Sequence, residues 1–307
     1  MDARRAGATK RPVSTEAEAV VSRPPKWRTY LRLGRVSNLP TVWSNTLAGM
    51  VLAGAPLTPA VFAWLALAAS LLYVGGMFLN DAFDQAIDAR ERPERPIPSG
   101  VVSSGEVYGV GFALLAGGVV IAWQVGGVRA LGASLALAFA IVLYDAWHKK
   151  NALSPALMGA CRVLVYVTAA FAATREPTMR PLLMGAAALF AYLMGLTYVA
   201  KQENLERFTN MWPLALLAVP FLMTANNAFE PVSTALFVGL FVWVVSAVRL
   251  LMGGGRGTIP KVVVRLIAGV SLVDALLVAK AGQPALACVA ALAFFATLFF
   301  QRYISGT

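Results

Sequence analysis

Ten apolar runs, each nearly free of charge, divide this chain of 307 residues. They fall at roughly 38–54, 60–80, 105–124, 130–147, 153–173, 181–200, 211–228, 233–251, 262–280 and 284–301. Most reach the ~20 residues that a helix needs to cross the hydrocarbon core of a bilayer. In lipid every backbone N–H and C=O must find its partner within the chain, so only helices and closed barrels span. Barrel strands hold about ten residues and alternate apolar with polar side chains. Longer runs without that alternation exclude them. The sequence therefore predicts an all-α polytopic membrane protein of ten spans, or nine if 262–280 or the last segment does not cross. Only 13% of residues are charged, against about 25% in a soluble domain.

The net charge is +11. The positive residues gather in the N-terminal region and in short loops, where they read as topology and lipid-headgroup charges rather than a nucleic-acid footprint. The loops 81–104, 145–152, 201–210 and 252–261 carry Arg90, Arg92, Arg95, Lys149, Lys150, Lys201, Arg207, Arg256 and Lys261. The positive-inside rule puts that side, and both termini of a ten-span chain, in the cytoplasm. Residues 1–26 read as a disordered cytoplasmic tail and 27–307 as a single transmembrane domain. Trp27 and Tyr30, among Arg28, Arg32 and Arg35, suit an interfacial helix leading into the first span. Cys161 and Cys288 lie in apolar runs with no CxxC spacing, which gives no support to zinc or disulfide chemistry.

The second run ends in an acidic string. Asn80, Asp84 and Asp88 are spaced i, i+4, i+8 and share one helix face, with Asp81 one position off it. Like charges stacked on a face repel. A divalent cation relieves that repulsion, and Mg²⁺ favours one or two carboxylates completed by phosphates and waters. Arg92 and Arg95 follow, with forked donors suited to phosphate oxygens. Pro96-Ile97-Pro98-Ser99-Gly100 then makes a stiff turn back to the membrane. The plainer alternative is a ladder of ion pairs among Asp84, Asp88 and Arg92 at a solvated helix end.

Asn80-x-x-x-Asp84-x-x-x-Asp88 followed by Arg95-Pro96-Ile97-Pro98-Ser99-Gly100 resembles the first Asp-rich motif of the UbiA superfamily of intramembrane prenyltransferases. Arg32-x-x-Arg35-x-x-Asn38-Leu39-Pro40-Thr41 is similar to the family's opening segment. Tyr144-Asp145-x-x-x-Lys149 resembles its Tyr-Pro-x-x-Lys loop, with Asp145 at the proline position. The resemblance implies a ring of helices around a central cavity open to lipid. It implies transfer of a prenyl group from an isoprenoid diphosphate to a small acceptor in the membrane. Asn80, Asp84 and Asp88 would hold Mg²⁺ and diphosphate, with Arg35, Arg92, Arg95 and Lys149 on the phosphates.

The family's second Asp-rich motif has no aspartate here. Lys201, Glu203 and Glu206 stand in its place, so either Lys201 binds diphosphate directly, the glutamates hold a second Mg²⁺, or catalysis is lost or retuned. This variant, with Asn38-Leu39-Pro40-Thr41-Val42-Trp43, is similar to the EboC-like bacterial branch. That likeness implies a cyclitol or other polyol acceptor beside the aromatic alternative, and the bacterial cytoplasmic membrane as its location. Asp145, beside Tyr144, is the candidate base for a hydroxyl acceptor. It is equally read as a helix-end carboxylate paired with Lys149. His148 reads as an interface residue. Arg162 falls mid-span, where an unpaired charge is costly, so it points into the bundle toward a carboxylate, a carbonyl or substrate. Asn45, Asn226, Asn227 and Asp274 are further polar residues inside apolar runs. The competing functions are an isoprenoid-diphosphate or lipid carrier, and a non-catalytic member of the fold.

Overall fold

Proline and polar residues start the helices where the apolar runs begin. Pro40, Pro59, Pro155, Pro231 and Pro284 each lie in a first turn, where the missing N–H leaves no bond unmade. Ser103 Oγ accepts from the Glu106 N–H at 3.1 Å. The Glu230 carboxylate caps the N–H groups of Val232 and Ser233 at 3.2 and 2.6 Å.

The computed structural model describes residues 25–149, 151–202, 211–225, 230–255, 257–304 and 306. The chain runs α1 (Lys26–Leu33), a 3₁₀ turn (Val36–Asn38), α2 (Leu39–Leu52), α3 (Pro59–Phe83), α4 (Gln85–Glu91) and α5 (Ser104–Trp147). It continues through α6 (Ser154–Ala173), α7 (Met179–Lys201), a second 3₁₀ segment (Trp212–Ala218), α8 (Val219–Thr224), α9 (Pro231–Gly253), α10 (Thr258–Lys280) and α11 (Pro284–Phe300). No strand occurs among the described residues. The tail assignment for 1–24 lies outside them.

α5 has 44 residues, about 66 Å of helix at 1.5 Å per residue, twice the thickness of a bilayer core. It is two spans. Gly127 sits at φ 65°, ψ −153°, a conformation essentially reserved for glycine, and the chain reverses there. Both limbs return to the same end of α3: Leu79 packs over Gly111 of the first and Ile141 of the second packs over Gly76. The α3–α5 seam is so close that a Cβ at Gly118 would stand 2.8 Å from the Ala68 carbonyl oxygen.

Six helices are long and apolar enough to cross a membrane: α3, α5, α6, α7, α9 and α10. With α5 counted as two limbs they account for seven of the ten apolar runs. The other three become shorter helices, α2 with 14 residues, Trp212–Thr224, and α11 with 17. Each of these is shorter than the ~20 residues of a full crossing. Over 211–225, the described part of the expected span 211–228, the chain is instead a 3₁₀ segment followed by one short α turn, and Pro220, which has no N–H to donate, stands at the change between them.

α10 is the most buried of the long helices. In its most apolar window 83% of residues are buried, against 22% in α9, whose Phe241 and Val242 face outward. Trp64, Phe139, Leu183 and Phe295 are exposed on other helices. Such an apolar exterior suits lipid, not water. The helices ring a cavity of about 300 Å³. Val42 of α2, Tyr73 of α3, Ile141 of α5, Arg162 of α6, Leu196 of α7 and Val270 of α10 all line it.

Candidate active site

The acidic string stays helical past the end of α3. Asp84 caps α3 with helical backbone angles, and α4 begins at Gln85. The Asp84 N–H donates to the Asn80 carbonyl at 3.0 Å and the Asp88 N–H to the Asp84 carbonyl at 2.9 Å. The i, i+4 register therefore survives the junction, and Asn80, Asp81, Asp84 and Asp88 are all buried.

Each carboxylate meets a cation. Arg95 donates to Asp88 Oδ2 at 2.8 Å and reaches Asp81 Oδ1 at 3.4 Å. Arg35 reaches Asp81 Oδ1 at 3.4 Å and Asn80 Oδ1 at 3.3 Å. Lys149 Nζ is 3.1 Å from Asp84 Oδ2. Asp81, one position off the shared face, thus bridges two arginines. Arg35 is placed by a left-handed backbone (φ 43°) between α1 and the first 3₁₀ turn, an uncommon conformation for a residue with a side chain. Pro96 to Gly100 makes the expected turn, with Gly100 at φ 72°, and Arg92 and Arg95, just before it, line the cavity.

The second limb of α5 supplies the facing wall. Asn80 Nδ2 donates to Asp145 Oδ1 at 3.1 Å, joining the acidic string to the tyrosine–aspartate pair. Asp145 is buried at 4% exposure, and its Oδ2 has no hydrogen-bond partner among the described residues. The expected pairing of Asp145 with Lys149 is not made, because Lys149 is turned to Asp84. His148 stacks on Tyr144 with centroids 4.9 Å apart, and its Nε2 is 3.6 Å from Asp84 Oδ2. Burial lowers the His148 pKa and outweighs the opposing pull of Asp84.

Deeper along the cavity, Arg162 donates to Asn45 Oδ1 at 2.8 Å and lies over the Tyr73 ring at 5.3 Å. Asn45 Nδ2 in turn donates to Asp274 at 2.8 and 3.0 Å. Tyr73, Ser44 and Tyr166 belong to this region, and their sequence neighbourhoods gave no sign of it. A single hydroxyl inside an apolar run is commonplace, and only the partner across the bundle gives it meaning.

Lys201 is set apart from these groups. It ends α7 and donates to the Asn151 carbonyl at 2.5 Å, and it is not part of the cavity wall. Glu203 and Glu206 lie outside the described residues, as do Asn226 and Asn227. After α9, Gly254, Gly255 and Gly257 have positive φ.

The sequence profile of the UbiA prenyltransferase family matches residues 42–298. The chain belongs to that family. The match continues well into α11, beyond where the motifs alone carry the resemblance. A digeranylgeranylglyceryl phosphate synthase of Ignicoccus hospitalis is 38% identical over 110 residues, which is 36% of this chain and 36% of that relative. The alignment thus spans about a third of the relative's length. The apo structure of a UbiA homologue from Aeropyrum pernix K1 matches with TM-score 0.63 and 18% identity, over 78% of this chain and 97% of that one. A UbiA homologue from Archaeoglobus fulgidus, bound to GPP and Mg²⁺, matches with TM-score 0.50 and 16% identity, over 88% and 99%. The fold is that of the UbiA homologues, and the chain is an integral membrane protein.

Proposed function

We propose that this protein transfers a prenyl group from an isoprenoid diphosphate to a small acceptor within the membrane, with Mg²⁺ as cofactor. One observation carries the reading. Arg35, Arg95 and Lys149 contact the buried Asp81, Asp84 and Asp88, and Arg35, Arg92 and Arg95 line an apolar cavity of about 300 Å³ at the same helix ends. A diphosphate needs such cations and a prenyl chain needs such a cavity.

The residues fit Mg²⁺. Asn80, Asp84 and Asp88 offer hard oxygen ligands. Among the described residues no group of three His, Cys, Asp or Glu side chains could enclose a metal on its own. An open set of this kind suits an ion shared with phosphate oxygens, and the Archaeoglobus homologue holds GPP and Mg²⁺ together. When bound, Mg²⁺ supplies positive charge against the departing diphosphate. Glu203 and Glu206 are proposed for a second ion.

The chain's own groups do the rest. Arg35, Arg92, Arg95 and Lys149 bind phosphate oxygens and stabilise the charge that develops as the C1–O bond breaks. Arg95 and Lys149 exchange Asp88 and Asp84 for phosphate as they do so. Leu72, Leu137, Val165 and Ile267 offer the prenyl chain an apolar wall, worth about 0.8 kcal/mol for each methylene buried. The same wall keeps water from the allylic carbon as it gains positive character. Asp145, oriented by Asn80, takes the proton that the acceptor releases as the new bond forms.

The acceptor is proposed to be a small aromatic or polyol molecule. Membership of the EboC-like branch and residence in a bacterial cytoplasmic membrane, with the acidic rim facing the cytoplasm, belong to the same proposal. The test is diphosphate release in nanodiscs from C10 to C20 prenyl diphosphates, with candidate acceptors, against Asp84→Ala. Mg²⁺-dependent release with a prenylated product, absent in the variant, is expected. Donor binding without turnover over the whole acceptor panel would favour a carrier of isoprenoid diphosphates instead.

A further inference from the structure

Arg162 lies in the ninth position of α6, about 12 Å along the helix from its start at Ser154. A guanidinium at that depth is costly unless it is answered by charge or hydrogen bonds. The nearest carboxylate in its network, Asp274, does not touch it. Asp274 is already filled by Ser44 Oγ at 2.5 Å, the Tyr166 hydroxyl at 2.5 Å and both bonds from Asn45 Nδ2. What Asp274 does is orient Asn45, whose carbonyl oxygen then receives one N–H of Arg162 at 2.8 Å. The Tyr73 ring lies under the guanidinium at 5.3 Å. These two contacts fix the plane of the group.

They leave most of it unused. A guanidinium has five N–H donors, and the contact with Asn45 is its one hydrogen bond among the described residues. Arg162 lines the cavity, so the remaining donors face the space where substrates must lie. Arg162 pairs with none of Asp81, Asp84, Asp88 or Asp145. The cations that answer the acidic string are Arg35, Arg95 and Lys149 at the helix ends. The molecule therefore holds a second anion-binding element, deeper in the same cavity and built from different helices.

We propose that Arg162 recognises an oxyanion on the acceptor, a carboxylate or a phosphate, and so selects acidic acceptors over neutral ones. The proposal rests on the prenyl-transfer reading and adds the acceptor's charge to it. A planar fork held by an amide on one side and an aromatic ring beneath leaves donors directed at two oxygens of one group, the geometry in which arginine exceeds lysine. Asn45 and Asp274 are positioning residues for that fork. An acceptor anchored there would be held within the cavity that Asp145 also lines.

The test uses the full-length protein in neutral nanodiscs, first loaded with geranyl diphosphate and Mg²⁺. Two matched pairs of probes separate the two sources of oxyanion: benzoate against benzamide, and a monoacylglycerol phosphate against the same monoacylglycerol. Binding is read from the ligand-dependent rise in Tm. In at least one pair the anionic member is expected to bind tenfold or more tightly than the neutral one. Arg162→Gln should reduce that ratio below twofold and leave geranyl diphosphate binding within threefold of the parent. Arg162→Lys keeps the charge but not the fork, so it should cut the ratio at least threefold. It also serves if the glutamine variant does not fold. An undiminished ratio in either variant, or no preference in the parent for either pair, would overturn the assignment. So would a tenfold loss of geranyl diphosphate binding in Arg162→Gln, which would assign the residue to the donor. If the parent failed to bind geranyl diphosphate at all, the prenyl-transfer reading would fall, and the anion comparison would still be readable alone.

Discussion

The carboxylates at the helix ends and the carboxylate at Asp274 are both buried, yet they are satisfied in opposite ways. Asp84 and Asp88 are met by the long side chains of Lys149 and Arg95, from loops that follow α5 and α4. Asp274 is met by the hydroxyl of Ser44 and the amide of Asn45 on α2, which packs against α10, and by the ring hydroxyl of Tyr166 on α6. A long cation can leave a carboxylate and follow a phosphate; a serine or tyrosine fixed in a helix cannot. The first arrangement is suited to exchange and the second to permanence. Two sites with similar burial thus differ in what they can do, and the difference lies in the tether of the partner rather than in the acid.

The sharpest way to break this comparison is Asp274→Ala. It takes from the Tyr166 hydroxyl and from Asn45 Nδ2 the acceptor they share and removes the compensating charge from the Arg162 network. A loss of about 3–5 kcal/mol of stability is expected, seen as a large fall in Tm and in yield of folded protein. A Tm within 2 °C or so of the parent would show that the network is not a structural anchor.

Asp88→Asn should do the reverse. Diphosphate release is expected to fall by roughly 10²–10³, about 2.7–4 kcal/mol of transition-state stabilisation, and Tm should move little. A variant that unfolded instead would place the acidic string with Asp274.

The hairpin that brings both limbs of α5 to α3 can be tested at Gly127. Gly127→Ala forces a Cβ into a backbone region that only glycine occupies readily, at a cost of about 1–3 kcal/mol. Chemical denaturation measures it, and an unchanged midpoint would mean that the reversal does not depend on that conformation.

The smallest effect is expected at Lys201. Its ammonium holds the Asn151 carbonyl, a single exposed hydrogen bond worth about 0.5–1.5 kcal/mol or less. Lys201→Met should change KM for prenyl diphosphate less than about threefold. A tenfold rise would return Lys201 to the diphosphate site.

Much of this was legible in the chain. The acidic string, its arginines and the turn that brings them back are local in sequence, so helical periodicity and proline placement were enough to group them. The reversal at Gly127 was visible as the short break between the apolar runs 105–124 and 130–147. The run at 211–228 was read as a full span because hydropathy counts residues and not amide bonds, and Pro220 cannot donate to the ladder. Arg162, Asn45 and Asp274 each stood out as polar residues in apolar runs, but their linkage did not. They are separated by more than a hundred residues of sequence, and nothing local couples them.

What the sequence determined alone is the environment and the local chemistry. Charge-free runs leave helices as the available solution in lipid, and i, i+4 spacing puts Asn80, Asp84 and Asp88 on one face whatever the rest of the chain does. Tertiary structure decided the partners. Only the packing of α2, α6 and α10 turns Asp274 away from Arg162 and toward Asn45, and only the return of α5 along α3 sets Asp145 against Asn80. Long-range contacts follow from how helices fit together, a property of the whole set of facing surfaces that no single segment encodes.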